Sequence, residues 1–285
     1  MRYLILILLL CITLLGCSNY GKLTYLAKLP KSLSENSGII TIKDSTIWVI
    51  EDHGNKDNIY ELDLKGNLLR NLKVKNAKNE DWEDLTSDEN GNLFIGDFGN
   101  NHNNRKNLVI YKLPNPENVN GDKITAQKIE FNYPEQKKYP PKKSKLNFDA
   151  EAFFYNSEAL FVITKNRTIP FSGEASIYKI PSKKGKHKAE LVGKFTTCKE
   201  DVICQITAAD ISPDGKTIAL LGYGKVWLFS HFKGDNFSNG TTQTIDLKAT
   251  TQLESLCFLN NQTLLISDEE RANTGGNLYT LELKK

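Results

Sequence analysis

Beyond residue 22 the chain is a succession of short runs, four to nine residues long, in which apolar and β-branched positions alternate with polar ones. Polar loops separate them. Alternation over such lengths predicts half-buried β-strands. The runs come in sets of four. The first set is Gly38–Ile42, Thr46–Glu51, Ile59–Leu64 and Leu68–Val74, with Asp63-Leu64-Lys65-Gly66-Asn67 as its last turn. The second is Glu83–Ser87, Asn92–Asp97, Leu108–Leu113 and Thr125–Tyr133, with Asp88-Glu89-Asn90-Gly91 as a hairpin signal. Glu151–Tyr155, Ala159–Thr164, Ser176–Ile180 and Glu190–Thr196 make the third; Ala209–Ser212, Thr217–Gly222, Lys225–Phe229 and Thr242–Leu247 make the fourth. The fifth holds Glu254–Leu259, Thr263–Asp268 and Asn277–Leu283, and lacks a fourth run.

The sets open on related motifs: Asn36-Ser37-Gly38-Ile39-Ile40, Trp82-Glu83-Asp84-Leu85-Thr86, Ala150-Glu151-Ala152-Phe153-Phe154, Ala208-Ala209-Asp210-Ile211-Ser212 and Leu253-Glu254-Ser255-Leu256-Cys257. Repetition at roughly 40–50 residues signals a solenoid or a propeller. The run Leu23–Leu29 has no partner in the first set, and the last set is one strand short. The two deficits cancel if residues 22–30 become the outer strand of the last blade, which closes a ring and removes an edge. The expectation is an all-β, five-bladed propeller of four-stranded blades spanning residues 22–285, with Tyr60, Tyr111, Tyr178, Trp227 and Tyr279 equivalent on the third strands. The long interval between Glu83 and Glu151 leaves a sixth blade as the alternative.

Three stretches resemble the SdiA-regulated family of bacterial propellers: Ser37-Gly38-Ile39, Ile59-Tyr60-Glu61-Leu62-Asp63-Leu64-Lys65-Gly66 and Trp82-Glu83-Asp84-Leu85. Similarity to esterase-like phytase domains and to gluconolactonase-type propellers is weaker. The chain departs from the family pattern at Asp84, where glycine is usual, and in the segment 114–147. The resemblance implies a propeller fold and assigns no reaction.

The first residues have a separate logic. Arg2 precedes an apolar stretch, Leu4–Leu10 with Ile12, too short to span a bilayer. It ends in Leu14-Leu15-Gly16-Cys17, which looks like a bacterial lipobox. Residues 1–16 are then a signal peptide, Cys17 carries the lipid and residues 17–21 are a tether. The alternative is a plain signal peptide or an uncleaved anchor. Ser18 points to the outer membrane, facing the periplasm. Removing residues 1–16 from the 285 leaves 269, enough for one large β domain. In an oxidising periplasm Cys198 and Cys204 either close a small disulfide loop or remain two thiols, and Cys257 is a buried hydrophobe.

Thirty-seven basic and 34 acidic residues give a net charge of +3, which suggests no nucleic-acid partner. The lysine-rich stretch 137–145 reads as a solvated loop. A lipid-anchored monomer is expected, meeting an unknown protein, glycan or small molecule.

Meander geometry puts strand-one starts and strand-two ends on one face. Glu83, Glu151 and Glu254 therefore converge on a channel mouth, near Asp52, His53, Asp97, Lys165, Arg167, Asp268, Glu269 and Arg271. Clustered carboxylates need a counter-charge. One solution is a hard cation such as Ca²⁺, with Glu83, Glu151, Glu254, Asn100 and Asn101 as oxygen ligands. A second is ion pairing with Lys165, Arg167 and Arg271. In a third the acids accept backbone hydrogen bonds and lock the ring. His53 and His102 are candidate acid–base groups on the same face. Two functions fit: a binding module with an acidic mouth, or a metal-dependent hydrolase of a small phosphate ester, lactone or ester.

Overall fold

The computed structural model describes residues 20–43, 45–272 and 274–283. The lipobox and Cys17 lie outside the described residues. After a leading strand β1 (Thr24–Lys28), blade 1 holds β2 (Asn36–Lys43), β3 (Thr46–Glu51), β4 (Asn58–Asp63) and β5 (Leu68–Lys75). Then come β6 (Trp82–Ser87), β7 (Leu93–Asp97), β8 (Leu108–Leu113), β9 (Lys123–Thr125) and β10 (Gln127–Asn132). Blade 3 begins with β11 (Asp149–Asn156), β12 (Ala159–Lys165) and β13 (Glu174–Pro181), followed by β14 (Gly185–Lys188) and β15 (Glu190–Thr196). Blade 4 is β16 (Ile206–Ile211), β17 (Thr217–Gly222), β18 (Lys225–Ser230) and β19 (Thr241–Asp246). Blade 5 is β20 (Leu253–Asn260), β21 (Thr263–Asp268) and β22 (Asn277–Glu282).

The result is a β-propeller of five blades. The third-strand aromatics are in register: Val49 faces Tyr60, Ile95 faces Tyr111, Val162 faces Tyr178, Leu220 faces Trp227 and Ile266 faces Tyr279. β1 completes blade 5, pairing antiparallel with β22 from Thr24 opposite Thr280 to Lys28 opposite Asn277. Both faces of each blade bury their alternate apolar residues against the next blade. The core is therefore a set of clusters between blades, such as Phe98, Phe131, Phe153 and Tyr178 between blades 2 and 3.

The segment before blade 3 corrects the sequence reading twice. It forms no sixth blade, and the run expected as one strand over 125–133 is two. β9 leaves blade 2 and adds in parallel to the outer edge of blade 1, with Val74 opposite Ile124. The chain pivots at Ala126 and returns as β10 to pair with β8. Ile124 and Ala126 are buried in the blade 1 cluster, and the alternation shifts by one residue at the exposed Gln127 and Lys128 before Ile129 and Phe131 turn inward. β14 does the same one blade later, adding in parallel to β10. Its sequence, Gly-Lys-His-Lys, has no apolar pattern to announce a strand. The outer edges of blades 1 and 2 are thereby covered by the following blade's chain. Cys198 and Cys204 form a disulfide, with Cα atoms 5.6 Å apart, and Cys257 is buried and free.

Candidate functional site

At the same point in all five inner pairs the register slips by one residue: between Asn36 and Gly38, Trp82 and Asp84, Ala150 and Ala152, Ile206 and Ala208, and Leu253 and Ser255. Each slip is a β-bulge, which leaves one extra residue unpaired and re-aims its side chain. The extra residues are Ser37, Glu83, Glu151, Thr207 and Glu254, and all five line one axial cavity of about 210 Å³. The structure thus replaces the expected Ala209–Asp210 start of blade 4 with Thr207. Asp210 lies deeper, buried, and accepts the Phe258 N–H of blade 5 at 2.8 Å.

A second ring comes from the second strands, from the residue one past the partner of the position that precedes each bulge. Asp52, Lys165, Tyr223 and Glu269 line the same cavity, joined by Asn101, Arg167, Gln252 and Arg271. In blade 2 the equivalent residue, Phe98, turns into the core and packs on Phe153.

Ring-locking and mouth-lining are divided between different side chains. Ser37 donates to the Trp82 carbonyl at 2.8 Å and Thr207 to the Leu253 carbonyl at 2.9 Å, each on another blade. The buried Asp84 carboxylate accepts the Phe153 N–H of blade 3 at 3.0 Å and the Ala209 N–H of blade 4 at 3.3 Å. The three glutamates make no such bonds. Glu151 pairs with Lys165 Nζ at 3.1 Å and Arg167 Nη2 at 2.9 Å. Arg167 Nε also holds Asp149 at 2.6 Å. Glu254 accepts from the Tyr223 hydroxyl at 3.0 Å and from Gln252 Nε2 at 2.5 Å, and Lys165 donates to the same hydroxyl at 3.1 Å. Burial opposes the charge of Lys165, but Glu151 and Glu254 outweigh it and raise its pKa. Burial pushes Glu254 up to about 8 even though Lys165 opposes it.

Glu83 differs. It is 6% exposed and forms no hydrogen bond or ion pair among the described residues. Burial, reinforced by Glu151, Asp52 and Asp81, holds its pKa well above the carboxylate range. One carboxylate oxygen from each of Asp52, Asp81 and Glu83 falls within 4.8 Å of the others. Asp81 is raised to about 7 by burial and by Asp52. Gly99 leaves them room: a Cβ there would lie 1.9 Å from Glu83 Oε1 and 2.5 Å from the Asp81 carboxyl, so a side chain at this position would displace those carboxylates. The mouth is therefore polarised. Blades 3 to 5 carry their own counter-charges, whereas across blades 1 and 2 Glu83 has none and Asp81 has only Arg105 Nη1 at 4.0 Å and His53 Nδ1 at 3.8 Å. This acidic triad could hold a metal ion.

The five ligands expected from sequence do not act together. Glu151 and Glu254 are bonded as above. Asn100 is spent on structure, donating to the Phe148 carbonyl at 3.1 Å and accepting the Arg105 N–H at 2.9 Å. Asn101 lines the cavity and accepts from Arg167. Two other expected mouth residues are also structural. Asp97 is buried against Arg105 Nη2 at 2.9 Å and accepts the Asp81 N–H at 3.1 Å. Asp268 accepts the Asn277 N–H at 2.7 Å and the Tyr279 hydroxyl at 2.8 Å. Glu269 lines the mouth with Arg271 Nε at 3.4 Å, and burial raises it to about 7. His53 and His102 line an adjoining cavity of about 980 Å³ that shares Asp52 and Asn101 with the mouth and also contains Asp81.

Asp81, Asp149, Thr207 and Gln252 were not anticipated. For Asp81, Asp149 and Gln252 the signal is a two-residue spacing ahead of the bulge: Asp81-x-Glu83, Asp149-x-Glu151 and Gln252-x-Glu254; Thr207 is itself a bulge residue. It becomes visible only once the bulge residue is known to be the one aimed inward.

No family model matches the chain, and a search of curated proteins finds no match. Solved structures do match. The PQQ-bound aldose sugar dehydrogenase of Streptomyces coelicolor aligns over 92% of this chain and 98% of its own, with a TM-score of 0.51 and 10% identity. That likeness shows the fold. Virginiamycin B lyase from Staphylococcus aureus (TM-score 0.44, 16% identity, 90% of this chain and 69% of that one) and the Xanthomonas campestris gluconolactonase XC5397 (0.44, 13%, 84% and 69%) align less closely.

Proposed function

We propose that this propeller is an envelope protein that binds a small ligand at its axial mouth, with a divalent cation held by Asp52, Asp81 and Glu83. The observation that carries the reading is Glu83, a buried carboxylate without a partner, set against two further carboxylates. Oxygen-only donors favour a hard cation, and Ca²⁺ accepts such sets together with carbonyls and water. The exposed Arg271 and the cavity-lining Arg167 offer contacts to an anionic group of the ligand.

Chelator should lower the melting temperature of the metal-loaded protein. A cation at a hundredfold excess over its Kd adds about 2.7 kcal/mol, or roughly 5–10 °C for a domain of this size. Glu83→Gln should abolish most of that response, whereas Glu254→Gln should leave it. An unchanged melting temperature with chelator, and no metal by elemental analysis, would refute the site. Protons compete for the same oxygens. In the cation-free protein Asp81 stays protonated up to about 7, while in the unfolded chain it ionises near its ordinary 3.8. Its contribution to apo stability is thus complete below that lower value and lost as pH rises through about 7. The chelator response should accordingly grow from pH 6 to pH 8.

His53 and His102, beside the acidic triad, favour a second reading, metal-assisted hydrolysis of a small ester or phosphate ester, with the cation as Lewis acid. A panel of such substrates, with and without chelator, separates the two: no turnover with metal bound leaves a binding protein.

The lipobox resemblance supports tethering of the domain to a membrane through a lipid on Cys17. Cys17→Ser should move it to the soluble fraction; wild-type protein that is already soluble, with an unmodified Cys17, would contradict the anchor.

A further inference from the structure

A cleft of about 520 Å³ opens between the β10–β11 connection and the outer strands of blade 3. Its floor is the exposed side chain of Leu191, backed by the nearly buried rings of Phe148 and Tyr178. Lys137, Lys138, Lys142 and Lys145 stand around it, all exposed. None of the four forms an ion pair among the described residues. Lys194, which also lines the cleft, is paired with Glu174 at 2.7 Å. The one lining carboxylate, Glu135, is engaged with Tyr178.

This lysine-rich stretch is not a loose loop. The buried Gln136 donates to the Asn103 carbonyl at 2.7 Å, and the Phe148 N–H donates to Asn103 Oδ1 at 2.8 Å. Leu146 and Lys143 offer their carbonyls to the Arg167 and Ile169 N–H groups, each at 3.0 Å. The backbone on either side of the lysines is therefore fixed to blades 2 and 3. Four like charges held around an apolar floor repel one another, and an anion in the cleft relieves that repulsion. An apolar body laid on the floor adds hydrophobic burial. The volume is in the range of small-molecule sites, which run from about 300 to 1,000 Å³.

We infer that this cleft is a second binding site, separate from the mouth, for an amphipathic organic anion. Its carboxylate, sulfonate or phosphate group meets Lys142 and Lys145, and its aromatic or aliphatic body lies on Phe148, Tyr178 and Leu191. The test uses 8-anilinonaphthalene-1-sulfonate, an aryl sulfonate, with N-phenyl-1-naphthylamine as its uncharged counterpart. The folded protein should bind the sulfonate saturably, one per chain, and the uncharged probe at least tenfold more weakly. Lys142→Glu combined with Lys145→Glu should weaken the sulfonate at least tenfold. Leu191→Trp, which fills the cleft from its floor, should do the same without changing its charge. Glu83→Gln should bind the probe as wild type does, since the mouth is elsewhere. Matched melting temperatures exclude the probe's affinity for loosened folds. Non-saturable binding, or binding unchanged in both cleft variants, would overturn the site. So would binding of wild type to phosphatidylglycerol vesicles that the lysine reversals abolish while sulfonate binding persists, because the lysines would then serve a membrane.

Discussion

A chain lacking residues 20–30 is expected to aggregate or to melt far below the intact domain. β1 in that segment covers the outer edge of β22. The segment buries Leu23, Ala27 and Leu29, and the Leu29 N–H donates to the Gly276 carbonyl at 2.8 Å. Burying the two leucines stabilises the fold by about 3–6 kcal/mol together, at 1.5–3 kcal/mol for each. Single domains have only about 5–15 kcal/mol in all. The deletion would also open a blade edge able to pair with another chain. Light scattering and a thermal scan would check this; a monomer with the wild-type melting temperature would show that the segment is only a linker.

Asp84→Ala should cost nearly as much, from a single side chain. The Asp84 carboxylate is fully buried and accepts the Leu85, Phe153 and Ala209 N–H groups, which belong to blades 2, 3 and 4. Alanine leaves those donors in the dry axis, at about 1–3 kcal/mol for each unsatisfied group. A loss of about 3 kcal/mol or more corresponds to a fall in melting temperature of roughly 6–12 °C. Asp84→Asn keeps one oxygen and should lose less. Equal stability of the alanine variant and wild type would show that the axis is wet and that Asp84 holds nothing together. The resemblance to propellers with glycine at this position concealed the role. Here glycine is at the equivalent place in blade 1: a Cβ on Gly38 would lie 2.7 Å from the Leu85 nitrogen, so Gly38 makes room for the strand that carries Asp84.

The blades were legible because each strand shows its alternation locally and turns such as Asp214-Gly215 punctuate it. Ring closure was legible because a missing strand at one end matched a spare at the other. The strand additions β9 and β14 were not. A strand that crosses to another sheet alternates like any other, as Ile124 and Ala126 do, without naming the sheet it joins, and a polar outer strand such as Gly185–Lys188 has no alternation to show. Within the site, the inward glutamates could be read from the repeat, but their partners could not. Asp97 and Asp268 resemble mouth residues in sequence. Whether such a carboxylate turns to the cavity or to a neighbouring donor depends on side-chain direction, which repeat position does not encode. Likewise, the bulge decides that Thr207 rather than Asp210 faces the axis.

The crossings of β9 and β14 bear on how such a ring can change over evolutionary time. Blade 1 is finished by chain from blade 2, blade 2 by chain from blade 3, and blade 5 by the chain's own beginning. None of these can be excised, duplicated or exchanged without stripping a strand from a neighbour or leaving a received strand, β9, β14 or β1, without its sheet. Blade 4 alone is drawn from one uninterrupted stretch that neither donates a strand nor receives one. If the repeat number of this architecture ever drifts, residues 206–246 are the unit whose duplication or loss leaves every other sheet whole.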